Sequence, residues 1–378
     1  MISLARATLL YEWRRFLPAV MAVTFAGLLV LVQIGLLLGM FGTVSIMVDK
    51  STADVWMGYR NLESVDFGRD IPMLHDSQLR ERAEVRQVEH MQFSGGDWRT
   101  RSGAVLGAFV IGVDTRPGAL GMARMLTPGQ RALLDEPDAI IVGEADLGKL
   151  ETGIGQTAEI AGKRVRVVGV LRDLRAIGSV YVIASLSTAR RLLSMQERDV
   201  DMATFALARL ADPTRADAVR DSLRPPGRTV TRFGAWTAEE LSIKSQSYWL
   251  LESGAGAGSA FASLLGLVVG AVITSQTLYA AIVASIREYA TLRALGVPAR
   301  SLRAVVLEQS AWVGIAGLVL TGVAAAGALW LADTFYVAMR MPPWALAGTA
   351  VLVLTIALAS GLIALRSLSR AEPATLLR

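Results

Sequence analysis

The chain contains no cysteine, few histidines and less charge than an average soluble protein. Without cysteine, its 378 residues can form no disulfide, thiol nucleophile or cysteine-ligated metal site. His75 and His90 lack the three or four organised ligands that a zinc site needs. Charged residues make up 19% of the chain, against about 25% in soluble domains. Hydrophobic residues make up 53%, which favours a membrane protein.

Four apolar runs without any Asp, Glu, Lys, Arg or His divide the chain. They cover residues 16–47, 253–286, 309–332 and 341–365. A bilayer core is about 30 Å thick and is crossed by about 20 helical residues, so each run can span it. The predicted fold is an α-helical membrane protein with one plus three transmembrane helices and an inserted α+β extracytoplasmic domain, residues 48–250. Ion pathways normally bury charged groups in the membrane, so their absence argues against one.

Residues 1–15 carry an apolar stripe at helical spacing, with arginines off the stripe. Either this segment is a cytoplasmic amphipathic helix lying on the membrane, or the first membrane helix begins early. The run that follows is too long for a signal peptide, whose apolar region has about 7–15 residues. We therefore expect 16–47 to be a retained membrane helix.

Lys and Arg residues beside the runs are unevenly distributed between the two sides of the membrane. By the positive-inside rule, both termini, the tail 366–378 and the loop 287–308 are expected in the cytoplasm. The block 48–250 then lies outside. The richer side carries Arg6, Arg14, Arg15, Arg287, Arg293, Arg300, Arg303, Arg366, Arg370 and Arg378, and the poorer side carries Lys50, Lys244 and Arg340. These basic residues follow membrane topology, so no nucleic-acid partner is expected.

The second run, 253–286, is unusually long and rich in glycine. Its 34 residues would measure about 50 Å as a helix, which exceeds the bilayer core. Gly266 and Gly270 form a small-xxx-small pair that lets helices approach closely. The pair is either a seam between two copies of the chain or a packing site within one.

The inserted block has the pattern of a mixed α and β domain. Predicted strands cover 104–113, 139–142, 157–160, 164–170, 180–184, 205–209 and 230–233. Predicted helices run to Leu150, follow Ser187 and cover 213–223, and the polar residues 63–101 are expected to be loosely helical. Ala161-Gly162 predicts a hairpin turn.

The segment Gly143–Leu150 resembles a phosphate-binding loop but lacks its chemistry. Leu150 stands where the motif needs Ser or Thr to reach Mg²⁺, and Glu144 and Asp146 would repel phosphate. No G-x-S-x-G or H-E-x-x-H motif occurs either. We therefore expect neither an ATPase site nor an enzyme.

The segment Ser285–Pro298 predicts a charged helical extension of the second membrane helix into the cytoplasm. Gly296 and Pro298 end that helix, and Ser301 is expected to cap the next. Leu292 and Leu295 stand beside charged residues, which indicates a docking surface.

The motif Arg287-Glu288, followed by Leu292-Arg293-Ala294-Leu295-Gly296, resembles the FtsX-like permease family of ABC systems, also called MacB-type (type VII ABC). Further similar stretches are 53–56, 140–144 with 153–155 and 167–170, and 372–378, so the resemblance covers the whole chain. Residues 32–36 and the modest length are most similar to the DevC-type glycolipid exporter permeases.

The resemblance implies a homodimeric permease that has no ATPase and no cofactor of its own. ATP would be bound by a separate ABC ATPase subunit. This subunit would dock on the cytoplasmic loop 287–308, which we call the elbow, at residues Arg287, Glu288, Tyr289, Leu292, Arg293, Ala294, Leu295 and Gly296. Family members transmit force across the bacterial inner membrane, and exporters commonly add a membrane-fusion protein and an outer-membrane channel. Two functions remain open: export of a lipid, glycolipid or other amphiphile, or control of a cell-wall hydrolase.

Overall fold

A computed structural model describes Tyr11 and residues 13–176, 179–193, 201–224, 233–284, 298–335 and 337–370. The described residues belong to two compact units. The membrane unit is drawn from residues 1–39 and 256–378, and the inserted domain from residues 40–255.

The helices and strands are numbered in chain order. The helices are α1 (Trp13–Val44), α2 (Ile46–Asp49), α3 (Ser77–Arg80), α4 (Pro128–Leu133), α5 (Leu147–Leu150), α6 (Leu186–Leu193), α7 (Ala216–Leu223), α8 (Ala238–Ser247), α9 (Ala255–Ala284), α10 (Ala299–Thr334) and α11 (Pro343–Arg370). The strands are β1 (Val55–Gly58), β2 (Ile71–Pro72), β3 (Val85–Arg99), β4 (Val105–Val113), β5 (Ala139–Gly143), β6 (Thr157–Ile160), β7 (Lys163–Leu171), β8 (Val180–Ser185), β9 (Met202–Ala203), β10 (Phe205–Leu210) and β11 (Gly234–Thr237).

Four helices are long and apolar enough to cross a membrane, which confirms the predicted one-plus-three arrangement. The spans are Phe16–Val44, Gly256–Thr277, Ala304–Thr334 and Pro343–Leu362. Helix α10 begins at Ala299 with Pro298 as its N-cap, so the prediction that Ser301 caps it is wrong. The extended backbone of Pro298 suits a cap, and its carbonyl accepts from the Ser301 N–H.

Helix α1 packs closely on α10 through small residues. A Cβ atom at Gly317 would lie 2.4 Å from Val23 Cγ1, so only glycine fits at this crossing. Two hydroxyl bonds reinforce the contact: Thr24 Oγ1 donates to the Gly317 carbonyl at 3.3 Å, and Thr321 Oγ1 donates to the Thr24 carbonyl at 3.3 Å. These bonds satisfy polar groups where lipid offers no partner.

Gly266 and Gly270 of α9 lie against α1. A Cβ atom at Gly266 would lie 2.2 Å from Leu29 Cδ2, and one at Gly270 would lie 2.2 Å from Ala26 Cβ. Of the two interpretations that the sequence left open, the structure therefore displays packing within one chain.

The inserted domain is built on a nine-stranded mixed sheet in the order β11-β1-β10-β3-β4-β8-β5-β7-β6. Strand β6 also pairs with the end of β3, so the strands from β3 to β6 along this order close into a six-stranded ring. Strands β10 and β11 lie antiparallel on either side of β1, and α7 stands between them in the chain. Ala161 and Gly162, both with positive φ, turn the predicted β6–β7 hairpin.

The prediction that residues 63–101 are loosely helical is wrong, because β3 occupies 85–99 as the longest strand. Its polar residues suggest a solvated helix, yet several are buried and paired. Glu89 accepts from the Leu120 N–H at 2.7 Å, and the Gln92 amide donates to Asp70 at 2.8 Å. Of the strand predicted at 230–233, residues 230–232 lie outside the described part of the chain, and strand β11 covers Gly234–Thr237.

Side chains of the sheet fill three apolar cores, and alternating residues of β8 belong to two of them. On β8, Val180 and Val182 point into one core, and Tyr181 and Ile183 point into the other. The second of these cores also contains α2, whose apolar residues follow directly after α1. The chain leaving the first membrane helix is therefore part of the domain core.

The crossing of α1 and α10 generates a stability prediction. Gly317→Leu forces a side chain into Val23 and should lower the free energy of unfolding in detergent by about 1–3 kcal/mol, the usual cost of overpacking. Gly322→Leu, on the same helix with no atom within 4 Å of its added Cβ, is the matched control and should change little. Equal effects in denaturant titrations would contradict the packing described here.

Candidate functional site: the junction of the two membrane connections

The inserted domain is joined to the membrane helices at two points, after α1 and before α9. At the first point the chain enters the domain core at once. Ile46, Met47 and Val48 of α2 are 5%, 0% and 2% exposed. Burying three such side chains contributes about 1.5–3 kcal/mol each, so this connection is firmly anchored.

Asp49 and its neighbours form what we call the polar junction, which consists of Ser45, Asp49, Ser242 and Gln246. Ser45 Oγ and Ser242 Oγ each donate to the Asp49 carboxylate at 2.7 Å. The Gln246 amide donates to Ser45 Oγ at 2.9 Å and to Ser242 Oγ at 3.1 Å. Each serine hydroxyl therefore donates to the Asp49 carboxylate and accepts from the Gln246 amide, so the four side chains form a closed network. It ties the exit of α1 to helix α8.

Helix α8 leads toward the second connection. Thr237 caps its start by accepting from the Glu240 N–H at 3.1 Å, and Glu239 and Glu240 suit the positive end of the helix dipole. After Ser247 the chain passes through a π-helical segment, Tyr248–Glu252, and then Gly254. Gly254 has φ of +80°, where an L side chain would be strained, so the chain changes direction before α9 begins.

A turn at residues 64–67 supports this second connection. The Val65 N–H donates to Ser245 Oγ at 3.0 Å, and Trp249 Nε1 donates to Asp66 Oδ2 at 3.1 Å. Ser64 Oγ also donates to the Asp66 carboxylate. Burial raises the pKa of Asp66 above its ordinary value, and these hydrogen bonds only partly offset that rise.

The polar junction has no catalytic arrangement. Its side chains are two hydroxyls, one amide and one carboxylate, all engaged with one another, and it contains no histidine, cysteine or lysine. Among the residues that the structure describes, no group of three His, Cys, Asp or Glu side chains could hold a metal ion. The junction links the two places where the chain enters and leaves the domain.

The segment that resembles a phosphate loop is closed by its own fold. A Cβ atom at Gly143 would lie 2.4 Å from the Leu174 carbonyl oxygen, so another part of the chain occupies that side of the turn. Burial raises the pKa of Asp146, which lies on the same turn. His90 Nε2 lies 3.2 Å from Asp76, which forms an ion pair with Arg80, and burial lowers the pKa of His90.

The residues predicted to contact an ATPase, Arg287–Gly296, lie outside the described part of the chain, as do residues 1–10 and 371–378. Trp13, Arg14 and Arg15 lie in the first turn of α1. Sequence reasoning missed the polar junction. Its only local signals were Ser45 and Asp49 at the end of an apolar run and the i,i+4 spacing of Ser242 and Gln246.

A four-helix membrane unit with a sheet-based domain inserted after the first helix defines the class of membrane permease subunits, and two family models agree with this class. Residues 17–225 match the MacB-like periplasmic core domain, and residues 260–373 match the FtsX-like permease C-terminal domain. The first match alone covers more than half of the 378 residues. The chain belongs to the MacB/FtsX-like permease family of ABC transporters, whose members are membrane subunits rather than enzymes.

Two solved structures are similar to the inserted domain at low identity. The periplasmic region of MacB from Actinobacillus actinomycetemcomitans is 11% identical, covers 52% of this chain and 94% of its own, and has a TM-score of 0.33. The extracellular domain of the noncanonic ABC-type transporter YknZ from Gram-positive bacteria is 13% identical, covers 49% and 99%, and has a TM-score of 0.32. No curated protein matches the chain. The family assignment therefore rests on the family models.

The polar junction makes a stability prediction. Asp49→Asn leaves one acceptor oxygen where two serines donate, so one hydroxyl loses its partner. We expect the free energy of unfolding to fall by about 1–3 kcal/mol. Asp221→Asn is the matched control, since Asp221 is exposed and forms its ion pair with Arg220 at the surface, where a substitution should change stability little. Denaturant titrations in which both variants lose equally would contradict the closed network.

The raised pKa of Asp66 makes a pH prediction. The folded state holds a proton on Asp66 above the ordinary pKa of 3.8, so this group's contribution to stability falls as pH rises through that window. Asp66→Asn removes the contribution. The variant should therefore gain stability relative to the parent as pH increases from about 4 toward neutrality. Melting temperatures measured across this range test the sign, and a variant whose melting temperature falls relative to that of the parent as pH rises would contradict it.

Proposed function

We propose that the chain is the permease subunit of an ABC system in which a separate ATPase moves the inserted domain through the membrane helices. The chain lies in the bacterial inner membrane, with both termini and the elbow in the cytoplasm and the domain outside. The observation that carries this proposal is the polar junction, which bonds the exit of α1 to the helix that precedes α9.

The anchoring of the two connections explains why movement can reach the domain. If the domain were attached by flexible linkers, those linkers would absorb any displacement of the membrane helices. Here α2 is buried in the core, and Asp49 bonds it to α8. A relative movement of α1 and α9 therefore has to deform the domain or rotate it. That response is what a force-transmitting permease requires.

Helix α10 suits the transfer of movement from the cytoplasm. It runs unbroken from Ala299 to Thr334, so its 36 residues measure about 54 Å. Its membrane span begins at Ala304, which leaves the first residues outside the apolar region. We place the ATPase docking surface on the elbow just before α10, at Arg287, Glu288, Tyr289, Leu292, Arg293, Ala294, Leu295 and Gly296.

The membrane unit leaves α9 largely uncovered. Only 11% of the apolar stretch of α9 is buried, against 39% of that of α1. The side chains of Phe261, Leu264 and Val268 are exposed. This face is where we place the seam of a homodimer. Charged residues in the spans lie near the ends, as Glu308 and Asp333 do in the third span, and this suits an amphiphilic cargo such as a lipid or glycolipid. A membrane-fusion protein and an outer-membrane channel would complete an exporter, and the DevC-type subgroup remains our assignment within the family.

A pull-down of the partner ATPase tests the docking surface. Glu288→Lys and Leu292→Asp should each weaken capture by at least about tenfold, since losing one central interface contact costs about 1–2 kcal/mol or more. Glu81→Lys, a charge reversal at an exposed position of the inserted domain, is the control and should bind as the parent does. If both elbow variants captured the ATPase as well as the parent does, the proposed docking surface would be contradicted.

A further inference from the structure

Three rings, Phe67, Tyr248 and Trp249, form an aromatic platform on the inserted domain next to the second membrane connection, and Leu251 follows two residues after Trp249 in the same π-helical segment. The Phe67 ring meets Tyr248 edge-on at 5.4 Å and stacks on Trp249 at 6.2 Å between ring centroids. Phe67 is 46% exposed and Leu251 is 74% exposed. Large apolar side chains grouped on a surface in this way indicate a contact with something outside the domain.

The platform is held rigidly. Phe67 belongs to the turn whose Val65 N–H donates to Ser245 and whose Asp66 accepts from the Trp249 indole. Both bonds join the turn to the chain segment that carries Tyr248 and Trp249. Phe67 therefore stays with that segment although it is distant in sequence. Because the Trp249 N–H is already satisfied, its ring can enter an apolar layer without an unpaired polar group.

The chain itself brings the platform close to the bilayer. The apolar span of α9 begins at Gly256, five positions after Leu251. Five residues reach about 18 Å when fully extended and about 8 Å when helical. The headgroup layer of each leaflet is about 5–8 Å thick. Segment 248–251 consequently lies within about 18 Å of the apolar span along the chain, which is within reach of the headgroup layer, and the bonded turn keeps Phe67 with it.

We propose that the aromatic platform inserts into the headgroup layer of the bilayer and makes the inserted domain a lipid-contacting domain. Tyr and Trp rings favour this layer, where one part of the ring is apolar and its polar tip is hydrated. Phe67 and Leu251 supply the apolar contact. The partner is the lipid surface itself, and this proposal does not depend on ATP coupling or on the identity of a cargo.

The absence of cysteine makes a direct test possible, since an introduced cysteine is the only thiol in the chain. The variants Phe67→Cys and Leu251→Cys are labelled with a fluorophore in the full-length protein in nanodiscs, with lipids that carry a spin label at the headgroup. Ile154→Cys is the control, because Ile154 is 63% exposed and lies on the segment between α5 and β6, remote from the platform in sequence.

Quenching by the headgroup-labelled lipid should be at least about twofold at positions 67 and 251, since contact quenching needs the lipid within van der Waals reach, and absent at 154. Labels that iodide quenches but the lipid does not would show a platform in water and overturn the proposal. Labels that neither agent reaches would show a protein partner, such as a second copy of the chain, and overturn it too. Leu251→Cys keeps the test valid if Phe67→Cys does not fold.

Discussion

The Asp49 carboxylate, held between Ser45 and Ser242, is the interaction on which the rest of the architecture depends. It lies where the chain has just left its first membrane helix, and it bonds that point to the helix leading to the second. Either bond alone contributes about 1 kcal/mol, but the closed network and the buried α2 act together. The inserted domain is therefore fastened at both of its connections.

Small residues play the corresponding part within the membrane. Lipid offers no hydrophobic drive for helices to associate, so close approach and hydrogen bonding have to supply the packing energy. Glycines on α9 and α10 let α1 approach to distances that a larger side chain would prevent. Threonine hydroxyls donate hydrogen bonds to backbone carbonyls between α1 and α10. Helix α1 thus serves as the central contact of the membrane unit and as the first connection of the inserted domain.

Much of this fold could be predicted from local patterns. The four spans, the β6–β7 hairpin and five of the six strands of the ring follow from apolar runs, periodicity and turn residues. Strand β3 could not, because Glu89 and Gln92 look solvated until their partners at Leu120 and Asp70 are known. The junction was hidden for the same reason, since Asp49 and Ser242 are 193 positions apart. Pairing across such distances leaves no trace in a local pattern.

The most direct test follows a fluorophore on Ile154→Cys, in the inserted domain, when ATP is added to the reconstituted complex of permease and ATPase. The account predicts an ATP-dependent signal change in the parent that Asp49→Ala reduces at least about fivefold, the lower end of typical coupling energies, while ATP hydrolysis is retained. An Asp49→Ala complex whose domain responds as strongly as the parent would contradict the claim that this junction transmits the movement.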